Sequence, residues 1–116
     1  MLSLPSNTNV YLCVEPIDLR KSFEGLCGIV AGVFQRNVLD GHLFLFINKR
    51  RDRIKAMWFD RDGLAIFYKR LEKGRFELPR EAHAQPHVTL DGTALAMLLG
   101  GVPLGTPRRL RYQRDS

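Results

Sequence analysis

Lys49, Arg50, Arg51, Arg53 and Lys55, then Arg61, Lys69, Arg70, Lys73 and Arg75, set ten cations against four acids between residues 49 and 75. Charge clustered this densely suits a polyanion, because many fixed cations together create a directed field that steers and holds a phosphate backbone. Apolar residues between these cations alternate, and Asp62-Gly63 and Lys73-Gly74 read as turns, so the charge sits on strands and not on a loose tail. Arg50 and Arg51 fall at a hairpin tip, and Lys73 and Arg75 extend the positive rim. Either turn consistent with Asp60 to Gly63 brings Arg53, Lys55, Met57 and Phe59 onto one face with Ile66, Tyr68 and Arg70. Among that face's cations Tyr68 offers a ring for base stacking, which completes a nucleic-acid-binding set of nine residues, 49, 50, 51, 53, 55, 68, 70, 73 and 75.

Bond-breaking chemistry finds much less. His42, His83 and His87 form no metal-binding spacing, and no serine lies in a nucleophile elbow. The glycines lack the strand, spacing and lysine of a phosphate-cradling loop. A two-metal nuclease gathers carboxylates around Mg²⁺, but Asp60 and Asp62 occupy a hairpin turn where aspartate is frequent for backbone reasons alone. No catalytic residue, metal or cofactor is therefore assigned. Cys13 and Cys27, with neither CxxC spacing nor a histidine pair, read as buried thiols acting as small apolar groups.

The elements that must carry this surface follow from periodicity. Asn9 to Val14 alternates as a first strand closed by Pro16, and Asp18 is placed to cap a helix running to about Arg36 along Leu19, Phe23, Leu26, Val30, Val33 and Phe34. Gly25, Gly28 and Gly32 fall on roughly one side of that helix, which suggests close backbone approach to a neighbour. Leu43 to Ile47 is apolar on both sides and so belongs at the centre of a sheet covered twice. Trp58 and Phe67 are assigned to core, His87 to Leu90 to an edge strand, and Asp91 to the cap of a helix over Thr93 to Leu99. The expected fold is α+β: an antiparallel meander sheet of four to five strands packed on one long N-terminal helix, with a short C-terminal helix. One domain is expected over 1–102, and 103–116, with Arg108, Arg109, Arg111 and Arg114, reads as a flexible basic tail. At 116 residues and a formal charge of +6, the chain lacks the apolar run of a membrane span and the basic start of a signal peptide, so cytoplasm is the expected compartment.

The runs Asp18 to Leu26, Gly41 to Phe46, Asn48 to Lys55, Trp58 to Asp60, Asp62 to Leu64 and Tyr68 to Phe76 occur in the order seen in a known family. They resemble the TnpB (Orf2-like) accessory proteins of the insertion sequence 66 family, and Thr93 to Gly100 is similar to that family's closing helix. The resemblance implies a role in transposition beside a separate catalytic transposase, with the transposase and other accessory proteins of the same element as partners, and the clustered charge adds DNA to a non-catalytic reading. It carries over no catalytic residue. DNA at element ends or target is the expected ligand. A docking module that touches only the transposase is the alternative, motivated by the doubly apolar strand and the glycine-lined helix, and a metal-dependent nuclease ranks third. Self-association is left open, and no membrane partner is expected.

Overall fold

A computed structural model describes residues 7–79 and 85–100. Its centre is a five-stranded sheet in the order β4-β3-β2-β1-β5, formed by β1 (Val10–Cys13), β2 (Leu43–Ile47), β3 (Arg53–Asp60), β4 (Gly63–Arg70) and β5 (His87–Leu90). The expected meander holds only for β2, β3 and β4, which pair antiparallel; β1 runs parallel to β2, with Val10 opposite Leu43 and Leu12 opposite Leu45. The sheet is therefore mixed, and the purely antiparallel expectation is corrected. Turn signals specify hairpins, whereas the long connection from β1 to β2 crosses over the sheet through a helix and so returns the chain in the same direction.

That helix is also shorter than expected. An α-helical stretch, α1 (Phe23–Ile29), of seven residues passes into a five-residue π-helical turn over Val30–Phe34, which Gln35 ends in a left-handed conformation. Among the described residues there is no long N-terminal helix. Asp18 does not cap it: its carboxylate accepts from the Arg20 amide at 3.0 Å and its carbonyl accepts from the Lys21 amide at 3.1 Å, closing a separate turn. An aspartate can satisfy local amides in a turn as readily as at a helix start, and the non-helical backbone of Ser22 then delays the helix to Phe23. At the other end of the chain α2 (Gly92–Leu99) behaves as its sequence indicates, with the Asp91 side chain accepting from the Ala94 amide at 2.7 Å.

Two cores lie on the two faces. Tyr11, Leu26, Val30, Phe34, Phe44, Phe46 and Met57 fill the α1 side, while Leu12, Leu45, Ile54, Phe76, Leu98 and Leu99 fill the α2 side. Every residue of β2 is buried, and the chain's own segments cover both faces of that strand. Trp58 and Phe67 pack as core residues against the α2 side. Cys13 is buried and Cys27 half-buried, both free thiols in the α1 core. Burial pushes the Cys13 thiol up from its ordinary value, which keeps it protonated.

Gly28 and Gly32 do not provide close packing. A β-carbon added at Gly28 or Gly32 would meet nothing within 4 Å, whereas one at Gly25 would lie 3.0 Å from the Lys21 β-carbon. Gly28 and Gly32 therefore cost helix stability without a contact in return. Gly28→Ala and Gly32→Ala should each raise stability by about 0.5–1 kcal/mol in urea denaturation, and Gly25→Ala should lose that gain to crowding. A destabilised Gly28→Ala or Gly32→Ala variant would show that the exposed face is occupied.

Candidate nucleic-acid interface

Parallel β1 and β2 both point their carboxyl ends at the same edge of the molecule. Beyond β1 the connector turns across that edge, where the Ile17 amide donates to the Ile47 carbonyl at 2.9 Å and buries Ile17 and Leu19. Beyond β2 the chain forms the tip Asn48 to Asp52 and re-enters as β3. Between connector and tip lies an open groove of about 750 Å³, with Pro16, Ile17 and Leu19 along one side and Tyr68 opening into it from β4. Lys49, Arg50 and Arg53 from the hairpin and Arg20 from the connector supply its cations, against the carboxylates of Asp18 and Asp52. Crevices beyond the carboxyl ends of parallel strands are where open α/β sheets place their ligands.

Asn48 builds the tip. Its side-chain oxygen accepts from the Asp52 and Arg53 amides at 3.1 and 3.0 Å, and its side-chain nitrogen donates to the Asp52 carboxylate at 2.7 Å. That last bond holds the Asp52 carboxyl below its usual range. Arg51 takes a left-handed backbone conformation at φ 61°, a strain that the Asn48 clamp and the Arg51 carbonyl's bond to the Phe76 amide maintain. The consequence is a divided tip: Lys49 and Arg50 line the groove, while Arg51 lines a smaller cavity with Val14 and Leu78 on the other side.

The strand face expected to carry cations exists as read. Arg53 lies opposite Arg70, Lys55 opposite Tyr68 and Met57 opposite Ile66, the register of a two-residue Arg61-Asp62 turn. Its members differ in what they can reach. Lys55 is only 8% exposed, donates from Nζ to the Lys21 carbonyl at 2.8 Å, and places that ammonium 4.8 Å from the centre of the Tyr68 ring. It supports Tyr68 from beneath, and a variant lacking it would alter the fold together with the surface. Arg53 donates to the Tyr68 hydroxyl at 3.0 Å. Arg70 is exposed but pairs with Glu72 at 3.1 Å, while Lys73 and Arg75 are exposed on the segment that follows β4, whose Leu71 and Phe76 pack toward the α2 side. Lys69 points away from this face, donating to the Leu99 carbonyl at 2.8 Å. Asp60 and Asp62 sit exposed at the β3–β4 turn, and among the described residues no three His, Cys, Asp or Glu side chains gather as a metal site would require.

Arg20 and Asn48 are the groove residues that periodicity does not reveal. Arg20 falls within the expected helix, which begins only at Phe23, and an uncharged Asn48 carries no electrostatic signal. Arg20 forks onto Asp18, with contacts of 2.7 to 3.0 Å that hold the Asp18 carboxyl down at about 2. A carboxyl depressed in the folded state adds stability above its unfolded value near 3.8 and loses that contribution as pH falls through about 2. A carboxyl-carbon NMR titration should therefore give Asp18 a midpoint near 2, moving back toward the ordinary aspartate value in Arg20→Ala. An unmoved midpoint would remove the ion pair.

The basic tail, Arg80 to Ala84 of the expected loop, and the outer part of 1–102 lie outside the described residues. No helix among the described residues is long and apolar enough to cross a membrane.

Comparison with known proteins places this geometry in context. A family model described as IS66 Orf2 like protein matches residues 8–109. The chain is 32% identical over 108 residues to the uncharacterized protein y4hO of Sinorhizobium fredii, covering 93% of this chain and 92% of that one. It is 28% identical over 116 residues to the uncharacterized protein y4jC of the same organism, covering 100% and 97%. No solved structure matches.

Proposed function

The chain belongs to the IS66 Orf2-like family, and from that premise we propose that this transposition-associated accessory protein grips DNA through the groove beyond β1 and β2 and assists a separate transposase. The observation that carries the reading is the joint exposure of Lys49 and Arg50 on a tip that Asn48 holds rigid, beside Arg53 and Tyr68. Fixed cations lose little conformational freedom on meeting phosphates, and their affinity arises from release of condensed counterions. Lys73, Arg75 and Arg70 extend the rim and steer approach over a longer range, where pairing or distance weakens each of them.

Docking on the transposase without DNA contact keeps one of its two motives: β2 finds cover on both faces within the chain, while the Gly28 and Gly32 side of the helix stays open. The assignment as non-catalytic rests on the family and on turn chemistry that accounts for Asp60 and Asp62. Duplex DNA titrated with the purified protein across a salt series tests the reading. Log affinity should fall linearly with log salt, with a slope equivalent to roughly two to four neutralised phosphates. A protein that binds transposase but shows no salt-dependent affinity for DNA would sink the proposal in favour of docking.

A further inference from the structure

Tyr68 is 48% exposed on the edge strand β4, opposite the buried Lys55 of β3. A buried lysine and an arginine both contact it. Lys55 lies against the ring and Arg53 holds the hydroxyl, so ring position and tilt are fixed from two sides. Lys55 is itself buried, so the ring face it covers is the inner one and the exposed area belongs to the outer face. Tyr68 lines a groove together with Pro16 and the largely buried Ile17 and Leu19, and Lys49 and Arg50 supply exposed cations there beside the carboxylates of Asp18 and Asp52.

An aromatic wall, an apolar wall and cations at the rim match the demands of one chemical entity, a nucleotide with its base unstacked from its neighbours. The base supplies a π-face for the ring, and the phosphates on either side supply charge for the rim. A volume of about 750 Å³ falls within the usual range of small-molecule sites, which is enough for one or two nucleotides, whereas a duplex can meet only the cations at the groove's rim. In a duplex the base faces are already stacked, so a recessed tyrosine cannot reach them without extrusion.

We propose that the groove takes unpaired DNA, with a base stacked on Tyr68 between Arg53 and the Pro16–Leu19 connector and the flanking phosphates on Lys49 and Arg50. This rests on the DNA-binding reading above and narrows it to single-stranded or locally opened substrate, the form of DNA exposed when strands are being joined or displaced. Lys55 and Arg53 are positioning residues for the ring.

The test compares single-stranded and duplex oligonucleotides of equal length and sequence by fluorescence anisotropy, using the full chain, Tyr68→Leu and Tyr68→Phe. Single-stranded DNA should bind more tightly than duplex at the same salt. Tyr68→Leu should weaken single-strand binding by roughly 5- to 100-fold while changing duplex binding less than about twofold, and Tyr68→Phe should keep most of the affinity because the π-face remains. With the unaltered protein, 2-aminopurine placed in the single strand should be quenched on binding. Equal effects of Tyr68→Leu on both forms, or 2-aminopurine fluorescence that does not change, would overturn the stacking site while leaving phosphate binding in place. Failure of both DNA forms to bind would remove the broader reading along with it.

Discussion

Replacing Lys49, Arg50 and Arg53 together by alanine is expected to lower duplex affinity on the order of a hundredfold at about 0.1 M salt, with the two proteins converging toward 1 M. Removing each cation that neutralises a phosphate should flatten the log–log salt slope by about 0.9, so loss of Lys49 and Arg50 should make the variant's slope shallower by roughly two. Lys49 and Arg50 are exposed and Arg53 is half-buried on a strand edge of the groove, so thermal melts should confirm a folded variant. Two controls give the prediction its edge. Arg20→Ala should cost much less than Arg50→Ala, because Asp18 already neutralises that guanidinium at a separation of 2.7 Å. Arg70→Ala should likewise be mild, its charge being shared with Glu72 at 3.1 Å. Exchanging Lys49 for Arg and Arg50 for Lys should leave the slope unchanged, since counterion release counts charges and not their shape. A triple variant with an unaltered slope would move the binding surface elsewhere, to the rim of Lys73 and Arg75 or beyond the described residues.

Much of the sheet could be read from residue types because its information is local. Alternation across Arg53–Asp60 and Gly63–Arg70 determines which side chains share a face, and the parity argument holds for either turn. The doubly apolar Leu43–Ile47 announces a central strand in the same way, and Asp91 with Ala94 three residues later announces a helix start. Parallel pairing of β1 with β2 has no such local mark, because it depends on where a connection of about thirty residues lands. Helix length failed for a related reason. Leu19 does belong to the same apolar core as Leu26 and Phe34, as its spacing suggests, but it reaches that core from a turn and not from a helix.

The groove was legible in part. Charge type and strand face located Arg53, Tyr68 and the tip, while accessibility required the fold: the same face that shows Tyr68 to solvent hides Lys55 under it. A lysine between apolar neighbours on a strand next to a central one has an alternative to solvent, namely a backbone carbonyl within reach, and Lys21 provides it at 2.8 Å. Arg50 and Arg51 diverge because the left-handed backbone at Arg51 turns consecutive side chains toward different cavities. Residue spacing alone does not contain that turn; the hydrogen bonds of Asn48 do.

Phe76→Ala is expected to cost about 3–5 kcal/mol, the largest effect of any single substitution close to the groove. The ring is fully buried at 0% exposure in the α2-side core, on a segment with no strand or helix of its own, and it is the largest side chain by which that segment is anchored. Two backbone bonds depend on its seat: the Phe76 amide donates to the Arg51 carbonyl at 2.6 Å, and the Leu71 amide donates to the Asp52 carbonyl at 2.7 Å. These tie the segment after β4 to the underside of the cationic tip, so loss of the ring should loosen the tip as well as open a cavity. Small domains have total stabilities of about 5–15 kcal/mol, so the variant should be substantially unfolded near physiological temperature or melt some 15–30 °C lower. Phe76→Leu, which refills most of the volume, should cost less than about 1.5 kcal/mol and retain DNA affinity. Urea denaturation measures the first quantity, and amide exchange at Leu71 and Phe76 measures the second, where protection should fall ahead of global unfolding in Phe76→Leu. A cost below about 1 kcal/mol for Phe76→Ala, or exchange at those amides that tracks the β2–β3 ladder unchanged, would mean that the tip is held by Asn48 alone.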